Sequence, residues 1–311
     1  MTSLRLLLHA AGNSAPRWQA AIDEHLPKAE VRQLSEIKDD WQADYALVWN
    51  PPAELFTSQQ RLKGLFNLGA GVDALLANPD LPETLPVYKL RDAGMAERMT
   101  DYIRYGLLHF RRDMDRYRNQ QAQGLWKPYG VSSHAKWPVG VMGLGAIGAE
   151  VAARLHTDGY SVLGWSRSPK SLPDIETCAG HDALAGFLAR CRALVCVLPA
   201  TQKTRHLLNK ERLSQLSAGA ILINCGRGEV LDHEALIEQV DSGHLRGALL
   251  DVFEQEPLPA DSALYSNSKI IITPHVSAPT PIAEAAQQIA ESIERLEAGK
   301  RLETVDRDRG Y

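Results

Sequence analysis

The chain has 311 residues, 44% of them hydrophobic and 23% charged, which suits a folded globular protein of about two domains. The formal net charge of −4 supplies no global basic field, so nucleic acid and acidic lipid are not expected as partners. No apolar run approaches the roughly 18 residues of a membrane span, and Leu6-Leu7-Leu8 behind Met1–Arg5 is too short for a signal-peptide core, so the expected location is the cytoplasm.

In chain order, Leu4–His9, Tyr45–Trp49, Leu65–Leu68 and Val87–Leu90 read as strands. Trp18–His25 and Val72–Ala77 between them read as helical, and this alternation predicts a parallel sheet covered by helices. A long helical pattern runs from about Met95 to Arg118, followed by the polar stretch Asn119–Gly124 and an aperiodic segment reaching Lys136. Long aperiodic segments are often functional, and this one is read as an arm that packs on a second subunit, with a plain surface loop as the alternative. A second βα series has strands at Val139–Met142, Ser161–Ser166, Leu194–Leu198, Ile221–Asn224, Ala248–Val252 and Ile270–Thr273. The last helix, Pro281–Ala298, carries Ile282, Ala285, Ala286, Ile289, Ile293 and Leu296 at helical spacing, and is expected to return the chain to the first sheet.

The four cysteines, Cys178, Cys191, Cys196 and Cys225, form no C-x-x-C pair and read as reduced core thiols. No metal site is expected.

Residues 139–148 contain Gly143, Gly145 and Gly148 in a G-x-G-x-x-G pattern. A strand before it and a helix from Ala146 after it give the context of a dinucleotide loop. Gly143 allows the turn, Gly145 lets backbone approach a pyrophosphate together with Ala146 and Ile147, and Gly148 lets helix pack on strand. The next strand ends at Ser166 and Arg167, with Ser168 and Lys170 close by, where an NAD enzyme carries an acid for the ribose 2′-hydroxyl. A carboxylate repels a 2′-phosphate and an arginine fork accepts it, so NADP is expected over NAD.

Three further segments follow strand ends: Asn224-Cys225-Gly226-Arg227-Gly228, Asp251-Val252-Phe253-Glu254-Gln255-Glu256-Pro257 and Thr273-Pro274-His275-Val276-Ser277. Open α/β sheets place their ligands there. In these segments, and across essentially the whole chain, the sequence resembles the D-isomer-specific 2-hydroxyacid dehydrogenase family. Residues 47–52, 68–73, 94–97 and 305–311 further resemble a bacterial branch of that family that reduces glyoxylate and hydroxypyruvate with NADPH.

The resemblance implies two doubly wound parallel-sheet α/β domains, Rossmann-like and flavodoxin-like, with a cleft between them. Residues 1–98 and 278–311 would form the substrate-binding domain and 99–277 the NADP-binding domain. The resemblance makes Arg227 the holder of the substrate carboxylate, His275 the proton donor and Glu256 its partner, since an adjacent carboxylate favours an imidazolium. Glu254 is a rival to Glu256, which is preferred as the acid directly before proline.

Pro199, Thr201, Cys225, Gly226, Asp251 and Ser277 would border the cofactor, Cys225 by its backbone and Asp251 at the nicotinamide amide. Trp49, Ala70, Gly71 and Met95 would border the substrate, with core packing an equal reading for Trp49 and Met95. The expected activity is NADPH-dependent reduction of a small 2-keto acid by a homodimer. A broader D-2-hydroxyacid dehydrogenase and a dinucleotide-sensing binding protein stand as alternatives.

Overall fold

The computed structural model describes residues 4–38 and 40–311; Met1–Ser3, at the head of the segment read as lacking a leader, fall outside the described residues. In chain order come β1 (Arg5–His9), α1 (Ala15–His25), β2 (Glu30–Gln33), β3 (Tyr45–Val48), α2 (Ala53–Ser58), β4 (Gly64–Asn67), α3 (Asp73–Leu76) and β5 (Val87–Tyr88). Next are α4 (Met95–Arg111), α5 (Met114–Ala122), β6 (Val139–Met142), α6 (Ala146–Thr157), β7 (Val162–Ser166), β8 (Glu176–Ala179), α7 (Leu184–Ala189) and β9 (Ala193–Cys196). The chain ends with α8 (Lys210–Ser214), β10 (Ala220–Asn224), α9 (His233–Asp241), β11 (Leu245–Leu250), β12 (Ile270–Ile272) and α10 (Ile282–Glu297). It divides into two compact units, one comprising the chain up to Gly94 with Thr280–Tyr311, the other Met95–Pro279.

The first unit is built on a five-stranded parallel sheet in the order β2-β1-β3-β4-β5, the flavodoxin-like order. β3 and β4 are buried along their whole length because helices cover both faces, which is why they read as unbroken apolar runs. α10 packs on α1 and buries Ala285, Ala286, Ile289, Ala290 and Ile293. Its Glu297 carboxylate accepts from the Tyr45 hydroxyl at 2.8 Å, and the Val305 N–H donates to the Val87 carbonyl at 2.8 Å, binding the C-terminal segment to β5. β2 carries no apolar run: it is a half-buried edge strand of sequence Glu-Val-Arg-Gln, so burial leaves no periodic trace in it.

The second unit has seven parallel strands in the order β12-β11-β10-β9-β6-β7-β8. The chain starts in the middle at β6, runs outward to β8, then resumes on the other side at β9. This reversal between β6 and β9 is the topological switch point at which such sheets open a ligand crevice. β8, another half-exposed edge strand, also lacks a sequence signal.

The helix predicted to run to Arg118 breaks after Arg111. Asp113 takes a left-handed backbone, φ 57°, rare for a residue with a side chain. Arg246 holds the break, its guanidinium 2.8 Å from Asp113 and 2.5 Å from Asp115, with both Arg246 and Asp113 nearly buried. α5 continues to Ala122, so part of the stretch read as polar loop is helical. Among the described residues, no helix is long and apolar enough to cross a membrane and no group of three or more His, Cys, Asp or Glu is placed to hold a metal.

Candidate active site

The glycine loop follows β6. Gly143 has φ 110°, a conformation that side chains oppose. A Cβ on Gly148 would stand 1.8 Å from the Gly143 carbonyl oxygen, so the loop closes on the helix only with glycine there. Gly145 precedes α6, and a Cβ at this position would meet nothing within 4 Å. No side chain caps α6, which leaves the first-turn N–H groups, with Ala146 and Ile147, available to a phosphate. These features fit a dinucleotide pyrophosphate.

Ser166 ends β7, buried, and its hydroxyl donates to the Ser168 carbonyl at 2.7 Å, shaping the turn behind it. Arg167, Ser168 and Lys170 are exposed on that turn. Beyond β9, Thr204 Oγ1 lies 2.7 Å from the Pro199 carbonyl and 2.8 Å from the Thr201 N–H, holding Pro199 and Thr201 in one compact loop.

Three adjacent strands, β10, β11 and β12, end in the segments singled out in the sequence. The loops after β9, β10 and β11 are pressed backbone to backbone: a Cβ on Gly226 would lie 2.5 Å from the Leu198 carbonyl oxygen, and one on Gly228 1.9 Å from the Phe253 carbonyl carbon. Arg227 stands between these two glycines for that reason. The Asn224 side chain, fully buried, donates to the Arg227 carbonyl at 3.1 Å and accepts from the Gly226 N–H at 3.2 Å. Arg227 Nη1 donates to the Gly226 carbonyl at 2.9 Å, and the side chain is half-buried.

His275 Nδ1 lies 2.8 Å from Glu256 Oε2. An ionised carboxylate only accepts, so Nδ1 carries the proton and the ring turns Nε2 outward. The second oxygen, Glu256 Oε1, accepts from the Phe253 N–H at 3.0 Å, which fixes the acid's direction. The rival Glu254 is engaged elsewhere, by His206 Nε2 and by Arg205 at 3.6 Å. His275 itself has φ 53°, a strained backbone for a side-chain-bearing residue.

That strain is held by Asp251. Its backbone carbonyl accepts from the His275 N–H at 2.9 Å. Its carboxylate accepts from Thr273 Oγ1 at 2.6 Å, the Val276 N–H at 2.8 Å and the Ser277 N–H at 2.8 Å. Asp251 has no exposed surface. Its oxygens serve the turn that carries His275. Cys225 and Ser277 are likewise buried, and burial pushes the Cys225 thiol well above its ordinary pKa, which keeps it from acting as a nucleophile.

Met95 is buried in the first turn of α4. In the first unit, Trp49 is half-buried and lies on Gly69, where a Cβ would be 2.4 Å from the indole. Ala70 and Gly71 are half-buried in the loop after β4, held by the Asn67 side-chain amide, which donates to the Gly69 and Gly71 carbonyls at 3.0 and 2.7 Å.

Asn67, Asn224 and Thr273 shape these loops, and sequence reasoning gave them no role. Their common signal is a polar side chain at, or just beyond, the last position of a buried apolar strand, where an unpaired group would be costly.

Sheet order, glycine loop and histidine–carboxylate pair together define the class: a nicotinamide-dinucleotide oxidoreductase. Residues 105–277 match the family model described as D-isomer specific 2-hydroxyacid dehydrogenase, NAD binding domain. Glyoxylate/hydroxypyruvate reductase A of Salmonella paratyphi B is 41% identical over 98% of this chain and 99% of its own. Two solved structures are also similar. One is a D-isomer specific 2-hydroxyacid dehydrogenase from Xanthobacter autotrophicus Py2 in complex with NADPH and MES (40% identity, all of both chains, TM-score 0.95). The other is an NADPH-dependent glyoxylate/hydroxypyruvate reductase from Sinorhizobium meliloti in complex with NADP and sulfate (32% identity, 99% of this chain and all of that one, TM-score 0.92). The chain belongs to the D-isomer specific 2-hydroxyacid dehydrogenase family.

Proposed function

We propose that this protein reduces glyoxylate to glycolate and hydroxypyruvate to D-glycerate, using NADPH. The observation that carries this reading is the Glu256–His275 pair, 2.8 Å apart on loops of adjacent strands, in a chain whose full-length relatives bear that activity in their names.

Each residue has a distinct task. Arg227, anchored between two obligatory glycines, offers its fork of donors to the substrate carboxylate. Glu256 holds His275 Nδ1, so that Nε2 of the imidazolium faces the keto oxygen and gives it a proton. A bound reduced nicotinamide supplies the hydride that the keto carbon accepts. Gly143–Gly148 and the first turn of α6 hold the pyrophosphate, Arg167 with Ser168 and Lys170 the 2′-phosphate, and Pro199 and Thr201 border the cofactor. Trp49, Ala70, Gly71 and Met95 border the substrate, and Trp49 favours small keto acids by its bulk.

The protein works as a homodimer. Trp126 is 99% exposed and Val131 66%, and on the same unit Tyr105, Leu108, Met114 and Leu125 are also exposed. Tyr105 and Leu108 lie on α4, Met114 on α5, and Leu125, Trp126 and Val131 on the segment that follows, and closed two-fold pairing of identical chains is the commonest oligomeric arrangement that would cover them.

Steady-state kinetics with both nucleotides and a keto-acid panel test this. The expected result is turnover of glyoxylate and hydroxypyruvate with kcat/KM higher for NADPH. Arg167→Ala should cut kcat/KM for NADPH by about 10–100-fold, the worth of a charged hydrogen bond, and leave NADH unchanged. A preference for larger keto acids would favour the broader dehydrogenase. Tight NADPH binding with no oxidation on any keto acid would leave a nucleotide sensor instead.

A further inference from the structure

α4 lies close on the sheet of the second unit because residue 106 is glycine. A Cβ there would stand 2.7 Å from Leu249 Cδ2 and 2.9 Å from Ile223 Cδ1. One helical turn earlier, on the same face, is Tyr102. Its hydroxyl lies 2.6 Å from Thr273 Oγ1, and Thr273 Oγ1 is 2.6 Å from Asp251 Oδ1. The remaining Asp251 contacts are backbone N–H groups of Val276 and Ser277.

The proton directions follow from the partners. Backbone amides only donate, so both Asp251 oxygens act as acceptors. Thr273 then gives its single hydroxyl proton to Asp251 and must accept from Tyr102. Burial and nearby negative charge push the Tyr102 phenol far above its ordinary pKa, which keeps that donor protonated. A one-way chain thus runs from Tyr102 through Thr273 to Asp251 and ends on the turn 273–277. Asp251 grips that turn by its carboxylate at Thr273, Val276 and Ser277 and by its carbonyl at the His275 N–H.

We propose that Tyr102 is a positioning residue for the reduction: through Thr273 and Asp251, its hydroxyl fixes the left-handed turn that aims His275 at the keto oxygen. This rests on the general-acid reading of His275. Tyr102 hydrogen-bonds to neither His275 nor Glu256, so its effect falls on the rate of the chemical step and not on ligand affinity.

The test is a double-mutant cycle of Tyr102→Phe and Thr273→Val, with Thr273→Ser as the conservative variant and His275→Asn as the control. Tyr102→Phe should lower kcat about tenfold, as expected for a small misplacement of a reacting group. The keto-acid KM and the NADPH Kd, read by nucleotide fluorescence, should stay within about twofold of the parent. Thr273→Val should lose a similar factor, Thr273→Ser should retain parental kcat, and the double variant should lose no more than the worse single one.

A parental kcat in Tyr102→Phe, a loss carried by KM or Kd, or multiplying losses in the double variant would each overturn the proposal. Tyr102→Phe keeps the ring and its packing, so it decides the matter alone if Thr273→Val does not fold. An active His275→Asn would instead remove the general-acid reading. An inactive His275→Asn beside a fully active Tyr102→Phe removes only the positioning role.

Discussion

At the scale of single residues, the structure separates two acids that the sequence places two positions apart. Glu256 reaches His275 and Glu254 reaches His206 and Arg205. Glu256→Gln keeps the shape but offers the Nδ1 proton a neutral acceptor in one amide orientation and a clash in the other. It should lower kcat by about 10–100-fold, within the usual range for general acid–base catalysis, whereas Glu254→Gln should leave kcat within about twofold. Steady-state rates of the two variants decide between them; equal losses would dissolve the distinction. Sequence motifs singled out Arg227, Glu256 and His275 because residues of these types can hold a carboxylate or move a proton. They did not reach the turn that the Asp251 oxygens hold, since a motif records that an acid is present and not which way it points. They missed Asn224, Asn67 and Thr273, whose work is done on backbone groups and leaves no pattern along the chain.

At the scale of elements, strands covered on both faces were legible and edge strands were not. β9 and β10 are buried throughout and read as apolar runs. β2 and β8 lie at sheet edges, half-exposed, and their polar residues satisfy the same backbone ladder without an apolar signature. The broken helix is a second case. Residues 95–118 have continuous helical character, but Arg246, more than a hundred positions on, draws Asp113 and Asp115 together and stabilises a left-handed residue between two helices.

α4 also carries an element-scale prediction. Gly106→Val would force a branched side chain into space held by Leu249 and Ile223, and overpacking of this kind costs about 1–3 kcal/mol. Thermal unfolding should show a lower Tm. Because the displaced helix carries Tyr102, kcat should fall as well. A variant with an unchanged Tm would mean that the helix has slack at this contact.

At the scale of the whole molecule, two sheets of different order share one chain. The flavodoxin-like order of the first unit and the central start of the second follow from which strand the chain enters first, and only spatial order reveals that. The exposed residues of α4, α5 and the following arm argue for a second copy. Trp126→Glu would place a charge at the most exposed indole of the chain, and light scattering is expected to report a dimer for the parent and a monomer for the variant. A parent that is monomeric, or a variant that stays dimeric, would place the interface elsewhere or remove it.

The pressed loops after β9, β10 and β11 constrain how such a protein can change over time. Backbone atoms of one loop occupy the space that a methyl group would need on the next, so an inserted or deleted residue in any of them disturbs all three. Descendants of this chain are left to vary what projects from the loops while their lengths stay locked. New substrate preferences are then reached by exchanging side chains, one at a time, on a frame that cannot be rebuilt piecemeal.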